Sequence, residues 1–209
     1  MIISFYDTLS ENNVGGISRP DSKFRKAKIM GVGLHARKSG QMGVGMNLEE
    51  IIEKMKQKVK NPKEGLPEEV FTYVSTITPL INVDLLVRNE SGAVLMAWRD
   101  DVCGQGWHIP GGIIRFKENI FTRIQKVGIQ ELQAEVKFEK EPMAVNEIII
   151  GEEVRGHFIS LLYRCYLPEG YVIDNGDKKE DDAGYLKWIA ACPDQFIEGQ
   201  RKVYSDLWK

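Results

Sequence analysis

The sequence predicts a mixed α+β protein, in which short strands surround one internal amphipathic helix. Segments rich in β-branched and aromatic residues, each bounded by turn residues, follow one another from residue 71 onward. A helical period then runs from about Glu118 to Glu135, with Ile120, Ile124 and Val127 recurring on one side. Strand and helix signals interleaved in this way favour an α+β fold over an all-helical or all-strand one.

The first 65 residues are predicted to form an N-terminal arm and helix, ahead of a main domain over residues 66–209. The first 28 residues are rich in Ser, Asn, Gly and charge and show no period, so they read as an extended arm. Asn47, with Glu50 three residues later, matches a capping box. Apolar residues at helical spacing follow, which predicts a helix over residues 48–60.

Strands are predicted wherever a short apolar run lies between turn residues. Three of them open the main domain and include a hairpin around the turn Glu-Ser-Gly at residues 90–92. Further strands are predicted later in the chain, and a short helix near its end. The predicted strands are residues 71–77, 79–89, 93–99, 146–153, 157–167 and 185–190, and the short helix is residues 200–208.

Composition excludes several classes of protein. At 43% hydrophobic and 28% charged residues, the chain of 209 residues is typical of a globular protein. No segment approaches the ~18 consecutive apolar residues that a membrane crossing needs. The N-terminus lacks the basic and apolar regions of a secretory signal, so we expect a cytoplasmic protein without a membrane partner. Three cysteines without C-x-x-C spacing argue against a disulfide framework and a zinc site.

Charge is distributed unevenly along the chain. Residues 19–63 hold twelve Lys and Arg against four Asp and Glu, whereas residues 64–209 hold sixteen against twenty-four. A basic stretch can bind nucleic acid, but this one lacks interleaved aromatic residues beyond Phe24. We therefore expect no nucleic-acid partner and predict that the arm docks on the acidic part of a homodimer.

One loop and helix carry a pattern with chemical meaning. A Pro-Gly-Gly turn ends at Gly112, and Glu118, Lys126 and Glu131 follow at fixed spacing. Such a turn can present a carbonyl oxygen, and a helical glutamate facing it can add a carboxylate. Both are ligands that suit a hard cation such as Mg²⁺. The spacing alone equally allows a partly exposed helix glutamate beside an ordinary turn.

This pattern resembles the box of the Nudix hydrolases, G, five residues, E, seven residues, R-E-U-x-E-E-x-G-U, where U is aliphatic. Gly112, Glu118 and Glu131 match, and Lys126 stands in place of the Arg. Other box positions differ, with Val127, Gln130 and Gln133 replacing two glutamates and the last glycine. Within the R-E-U-x-E-E segment the chain keeps only the last glutamate, Glu131, and in this departure it is similar to the GDP-mannose mannosyl hydrolase branch.

The resemblance extends from about Glu69 to Trp188 and includes WHIPGG, which looks like the family's W-x-V-P-G-G. It implies a Nudix-like α/β/α sandwich with a mixed sheet, and one Mg²⁺ ion. The metal ligands it implies are the carbonyl of Gly111, the carboxylate of Glu131 and Asp182 in a late loop. The implied reaction is attack of water at the anomeric carbon of a nucleoside-diphosphate sugar, which releases the sugar and the nucleoside diphosphate.

Further residues take roles from the resemblance. Arg99 falls where the family has an arginine on the leaving diphosphate, and Asp84 where an aspartate contacts the nucleotide or orients its partners. With Asp182, these two residues form the predicted catalytic set. Arg115, Lys126 and His157 are the residues predicted to bind substrate.

The implied general base is missing from its position. The family has a histidine five residues before Trp188, where this chain has Ala183. A carboxylate of the same loop, Glu180, Asp181 or Asp182, could serve instead. The sequence therefore leaves three functions open: a nucleotide-sugar hydrolase, a pyrophosphohydrolase of a nucleoside diphosphate derivative, and a nucleotide-binding module with weak or no turnover. It names neither the base nor the sugar.

Overall fold

This computed structural model describes residues 46–101, 104–151 and 155–209, which form four α-helices and eight strands. The helices are α1 (Leu48–Lys58), α2 (Glu68–Ile77), α3 (Ile120–Glu131) and α4 (Glu198–Tyr204), followed by a 3₁₀ turn over Ser205–Trp208. The strands are β1 (Leu80–Val87), β2 (Val94–Asp101), β3 (Gly104–His108), β4 (Gly111–Ile113), β5 (Lys137–Phe138), β6 (Ala144–Ile149), β7 (His157–Tyr166) and β8 (Leu186–Ile189).

The predicted arm is only partly described. Residues 1–45 lie outside the described residues, and the expectation of an extended, dimer-docking segment falls largely on them. The predicted helix over 48–60 is confirmed as α1, with the expected capping box: the Asn47 side chain accepts from the Glu50 amide at 2.9 Å, and the Glu50 carboxylate accepts from the Asn47 amide at 3.2 Å. The described residues form one compact unit from Met46 to Lys209. The domain boundary at residue 65 stays a prediction.

Two sheets form the body of this unit. The larger one is mixed: β1 pairs with β7 in parallel and with β4 antiparallel, and β5 and β6 both add to β7 antiparallel. The smaller one is antiparallel, in the order β3-β2-β8. Together with the helices, the mixed sheet confirms the predicted α+β class.

Strands β1 and β2 bury both of their faces. Val83, Leu85 and Val87 of β1 join Ile124 and Val127 of α3 in one apolar cluster. Alternate residues of β1 and β2 face a second cluster, which contains Leu86, Val94, Met96, Trp98, Trp107 and Tyr204. Because strand side chains alternate, Asp84 lies on the same face as Leu86 and is carried into the interior with it.

The strand predicted over residues 71–77 is wrong, because these residues belong to helix α2. The β-branched and aromatic content of this segment favours a strand when taken alone. Pro67 precedes the helix, however, and Glu68 and Glu69 occupy its first turn, where acidic side chains interact favourably with the helix dipole. The helix also buries Val70, so tertiary packing outweighs the local propensity.

The predicted hairpin is also corrected. A tight turn does join β1 and β2, but they belong to different sheets and share only the isolated bridge between Arg88 and Val94. The later strands and the C-terminal helix lie close to their predicted positions. No helix in the described ranges is both long enough and apolar enough to cross a membrane.

Candidate active site

Helix α3 places Glu131 at its C-terminal end. The helix begins after Asn119, whose side chain accepts a hydrogen bond from the Phe121 amide at 2.9 Å. It ends four residues earlier than the sequence predicts, because Gln133 adopts a left-handed conformation with φ of 58° and the Ala134 amide donates to the Gly128 carbonyl, six residues back. A Cβ at Gly128 would lie 2.8 Å from the Ala134 carbonyl oxygen, so this tight reversal needs glycine. Glu131 is thereby the last helical residue.

The Glu131 carboxylate contacts a buried histidine. His108, at the end of β3, is 5% exposed, and its Nε2 lies 3.2 Å from Oε2 of Glu131. The Glu131 side chain is 28% exposed. The other carboxylate oxygen, Oε1, makes no hydrogen bond to any residue that the structure describes. One carboxylate oxygen of Glu131 is thus bound to His108, and the other is available to a ligand.

A cavity of about 290 Å³, called the Glu131 cavity below, lies next to this pair. Two cations line it, Arg99 from β2 and Lys178 from the loop before β8, together with Ala183 and Gly184. Arg99 lies 3.7 Å from Asp101, and Lys178 donates to the Gly184 carbonyl at 3.2 Å. Three carboxylates, Asp100, Asp101 and Glu131, line the same cavity. The cavity therefore offers carboxylates to a cation and basic side chains to a diphosphate.

A second cavity, of about 210 Å³, lies beside Asp84 and is called the Asp84 cavity. Arg99 lines both cavities, so the two are neighbours. The walls of the Asp84 cavity are mainly apolar, and Asn82 and Asp84 are polar residues among them. Its apolar side chains are Ile109, Ile113, Ile148, Ile150, Phe158 and Ile197.

Asp84 is 1% exposed and fully engaged in hydrogen bonds. Ser160 and Tyr204 both donate to Oδ2, at 2.5 and 2.7 Å, and the Asn82 amide donates to Oδ1 at 2.8 Å. Burial raises the pKa of the Asp84 carboxyl above its ordinary value of 3.8, and these hydrogen bonds oppose the shift. The same contacts orient Asn82: its nitrogen faces Asp84, so its carbonyl oxygen is left buried without a hydrogen-bond partner among the described residues.

Gly111 lies directly opposite Asp84 in the β1–β4 pair. A Cβ at this position would lie 2.2 Å from Asp84 Oδ1 and 2.7 Å from the Val83 carbonyl oxygen. Only glycine fits here without moving the buried carboxylate, so the first glycine of the Pro-Gly-Gly turn has a packing role independent of any metal.

The predicted site residues divide into two groups. Arg99 and Asp84 line one cavity together, and Arg99 lines the Glu131 cavity as well. Gly111 lines the Asp84 cavity and not the Glu131 cavity. Asp182 lines neither, and its carboxylate accepts a hydrogen bond from the Lys179 amide at 2.7 Å. The three implied metal ligands are therefore not gathered around one cavity.

The predicted substrate-binding residues lie apart from both cavities. Lys126 contacts Glu118 at 2.9 Å, and the Arg115 amide donates to the same carboxylate at 3.0 Å. The Arg115 side chain lies against the backbone of Gly65. His157 lies 3.1 Å from Glu147 on the neighbouring strand β6. Their roles toward a substrate stay predictions.

The donor set allows Mg²⁺ in a limited way. No group of three or more His, Cys, Asp and Glu side chains that could hold a metal occurs within residues 46–101, 104–151 and 155–209. Mg²⁺ is commonly bound by one or two carboxylates together with water and substrate phosphates. Glu131, with one unpaired oxygen beside two cations, fits such an ion. The residues suit a cation that binds together with a diphosphate rather than a permanent metal centre.

Sequence reasoning missed several residues of these sites. His108 lies inside the WHIPGG segment, and its nearness to the implied ligand turn was the available signal. Lys178 belongs to the predicted late loop and had no distinguishing neighbour. Asn82 and Ser160 are ordinary strand residues, and Tyr204 is 120 residues from the aspartate it contacts. No local pattern connects them.

Comparisons with known proteins give partial similarities. No protein-family model matches the chain. The chain is 25% identical over 113 residues to the low-salt glycan biosynthesis protein Agl8 of Haloferax volcanii, an alignment that covers 52% of this chain and 72% of that protein.

Solved structures that resemble the chain include several Nudix hydrolases. A candidate asymmetric diadenosine tetraphosphate hydrolase from Jonesia denitrificans has a TM-score of 0.49 at 18% identity, covering 64% of this chain and 98% of that one. A UDP-X diphosphatase has a TM-score of 0.47 at 17% identity, with coverage of 77% and 90%. A Nudix-family hydrolase from Clostridium perfringens has a TM-score of 0.46 at 11% identity, with coverage of 63% and 97%.

Proposed function

We propose that the chain is a Mg²⁺-dependent hydrolase of the Nudix type, acting on a nucleoside-diphosphate sugar of the GDP-mannose kind. The observation that carries the proposal is the position of Arg99, which lines both cavities, with Glu131 in one and Asp84 in the other. A substrate with a charged diphosphate and a compact ring can use both cavities at once. The match of Gly112, Glu118 and Glu131 to the Nudix box supports the same class.

The diphosphate is assigned to the Glu131 cavity. A guanidinium such as that of Arg99 can donate two parallel hydrogen bonds to phosphate oxygens, and Lys178 adds a second positive charge. When bound through Glu131, Mg²⁺ supplies further positive charge to a departing diphosphate. These residues bind the leaving group and stabilise the charge that develops on it.

The sugar is assigned to the Asp84 cavity. A volume of about 210 Å³ is small for a whole nucleotide and suits a single ring. The apolar walls can contact the face of the ring, while the unpaired carbonyl oxygen of Asn82 can accept a hydrogen bond from a hydroxyl. Tyr204 and Ser160 fix Asp84 at the same end of the cavity.

The late loop reaches the site through Ala183, which lines the Glu131 cavity. Three carboxylates of this loop were considered as bases, and none of them lines this cavity or the Asp84 cavity. Glu180 contacts Lys187 at 2.6 Å, and Asp182 accepts a hydrogen bond from the Lys179 amide. Asp181 is the third. The geometry therefore favours none of the three as the acceptor of the proton from water.

The similarity to the Haloferax protein supports a sugar substrate. That protein is named for low-salt glycan biosynthesis, and activated sugars are the building blocks of glycans. The likeness supports the proposal of a sugar derivative as the substrate, and the residues of the two cavities are consistent with it.

A second candidate is a nucleotide-binding module with little turnover. It is favoured by the lack of a cavity-lining carboxylate from the late loop, and by the lack, within the described residues, of a group of three or more side chains that could hold a metal. Such a protein would keep the diphosphate contacts and lose the chemistry.

Product analysis separates these functions. The protein is incubated with Mg²⁺ and a panel of nucleotide sugars in ¹⁸O-labelled water, and products are followed by phosphorus NMR and mass spectrometry. We expect a nucleoside diphosphate without label and a sugar that carries it. A nucleoside monophosphate and a sugar phosphate, with label in either one, would instead establish phosphoanhydride cleavage. Saturable binding without products would establish the binding module. The absence of both binding and products would contradict all three functions.

We also propose that the chain forms a homodimer. Helix α1 buries none of its side chains within the described unit, and Leu48, Ile51 and Ile52 are all exposed. Because an uncovered apolar face is unfavourable in water, a second copy is a suitable partner. Light scattering of the parent and of Ile52→Glu tests this: a dimer that becomes a monomer supports the proposal, and a parent that is monomeric contradicts it.

A further inference from the structure

We propose that His108 is a positioning residue that holds the Glu131 carboxylate in place for its cation, an inference that rests on the proposed function. The residue contacts Glu131 through the side-chain pair already described, with Nε2 3.2 Å from Oε2. It thereby links strand β3 of the smaller sheet to the end of helix α3.

The backbone around His108 is fixed from two sides. Within the sheet, His108 lies opposite Ala97 of β2. The next residue, Ile109, is held through both of its polar backbone groups by the Gln200 side chain of α4, at 2.7 Å to the amide and 3.1 Å to the carbonyl oxygen. The imidazole therefore projects from a rigid support.

The imidazole has one polar partner in the described part of the molecule. Its Nδ1 is buried and makes no hydrogen bond there, so Glu131 is the only described group to which the ring can donate. The hydrogen bond requires a proton on Nε2, because an ionised carboxylate oxygen can only accept. A histidine kept merely to fill space would not need to aim its donor at a partly exposed carboxylate.

Glu131 needs such a partner for two reasons. It lies at the C-terminal end of a helix, where the helix dipole disfavours a negative charge. Its side chain is also long and flexible, and ordering it at the moment of binding would reduce affinity for a cation. The contact from His108 occupies Oε2, and Oε1 makes no hydrogen bond to a described residue. Arg99, Lys178, Asp100 and Asp101 line the same cavity as Glu131. A preoriented carboxylate of this kind is what partners of metal ligands provide elsewhere.

The test compares His108→Phe, which keeps a ring of similar size without a donor, with His108→Gln, which keeps an N–H donor. Mn²⁺ is used as a paramagnetic probe, and its binding to the full-length protein is measured by water-proton relaxation in the presence of GDP. Thermal unfolding is recorded for each variant. Removing the partner of a metal-ligating side chain typically weakens metal affinity by about 10- to 100-fold.

We expect Mn²⁺ affinity to fall by about that factor in His108→Phe and to recover largely in His108→Gln. If His108→Phe binds Mn²⁺ as the parent does, or if both variants lose affinity only in proportion to a lower unfolding temperature, the positioning role is overturned. If the parent itself binds no Mn²⁺ with GDP, the metal dependence of the proposed function fails together with this inference. That outcome is distinguishable because it concerns the parent and not the variants.

Discussion

Helix α3 has a glutamate at each end, and the two differ in their exposure and in their hydrogen-bond partners. Glu118, two residues before the helix, has a side chain that is 4% exposed and contacts Arg123 at 2.7 Å and Lys126 at 2.9 Å. Glu131, the last helical residue, is more exposed and has His108 as its one described hydrogen-bond partner. A carboxylate with every partner supplied by the protein stabilises the fold, whereas one left half-satisfied beside cations is available to a ligand.

The pKa of Glu118 reflects this saturation. Burial acts to raise its pKa, but the hydrogen bonds from the Arg115 amide, Lys126 and Arg123 outweigh burial and lower the pKa from 4.5 to about 2. A carboxyl with a lowered folded-state pKa stabilises the fold above its unfolded pKa, and this stabilisation is lost as the pH falls through the folded value. The glutamate that matches the Nudix box at position 118 is therefore engaged in structure.

Removing the charge of Glu131 tests the contrast between the two glutamates most directly. We expect Glu131→Gln to lower kcat/KM by about 1,000-fold, because the cation would lose the carboxylate assigned to it, and metal charge stabilisation is worth several kcal/mol. The free energy of unfolding should change little. Steady-state kinetics and urea unfolding measure the two effects, with Glu135→Gln, an exposed carboxylate beyond the helix, as the control. Activity retained in Glu131→Gln would contradict the assignment.

The opposite pattern is expected for Glu118→Gln. The variant should lose about 3 kcal/mol of unfolding free energy at neutral pH, from the pKa difference between 4.5 and about 2. Acid titration of stability should also differ: the parent loses stability as the pH falls from 4.5 toward 2, and the variant lacks this component. Parallel pH–stability curves for the two proteins would show that the ion-pair cluster is not coupled to folding.

Arg99→Lys tests the assignment of the diphosphate to the Glu131 cavity. Lysine keeps the positive charge but loses the planar fork that donates two parallel hydrogen bonds to a diphosphate. We expect kcat/KM to fall by about tenfold, equivalent to one charge-assisted hydrogen bond. Arg164→Lys, which alters an exposed ion pair with Glu139 and lines neither cavity, is the matched control. If the two variants have equal kcat/KM, Arg99 does not bind the diphosphate.

The smallest effect is expected for Lys126→Met. Lys126 is 46% exposed, and its contact with Glu118 is screened by water. Because Arg123 and the Arg115 amide still satisfy that carboxylate, the free energy of unfolding should fall by at most ~0.5 kcal/mol. A loss as large as that of Glu118→Gln would show that Lys126, and not the buried Arg123, holds the cluster together.

Sequence reasoning reached part of this fold and part of this site. Capping and periodicity predicted α1 and the position of α3, because both signals are local. The segment over residues 71–77 was predicted wrongly as a strand, since its β-branched residues favour a strand and its helix depends on packing. Strands β1 and β2 were predicted individually, but their assignment to different sheets depends on long-range pairing.

The site was predictable to the same extent. Glu131, Arg99 and Asp84 could be proposed from a motif and a resemblance. The partners that orient them could not, because His108 meets Glu131 and Tyr204 meets Asp84 only through the fold. The spacing also could not separate the structural glutamate from the open one. That distinction comes from Arg123, which is buried beside Glu118 and absent from the Glu131 cavity.

The central claim is that Glu131 is an open carboxylate that binds a cation together with a diphosphate. It is tested most directly by calorimetric titration of the protein with Mg²⁺, first alone and then with saturating GDP, after subtracting the binding of Mg²⁺ to free GDP. Glu131 should bind Mg²⁺ weakly in the absence of a diphosphate, and added phosphate oxygens should increase the apparent affinity by at least about tenfold. Tight Mg²⁺ binding that GDP leaves unchanged, or no binding under either condition, would contradict the claim.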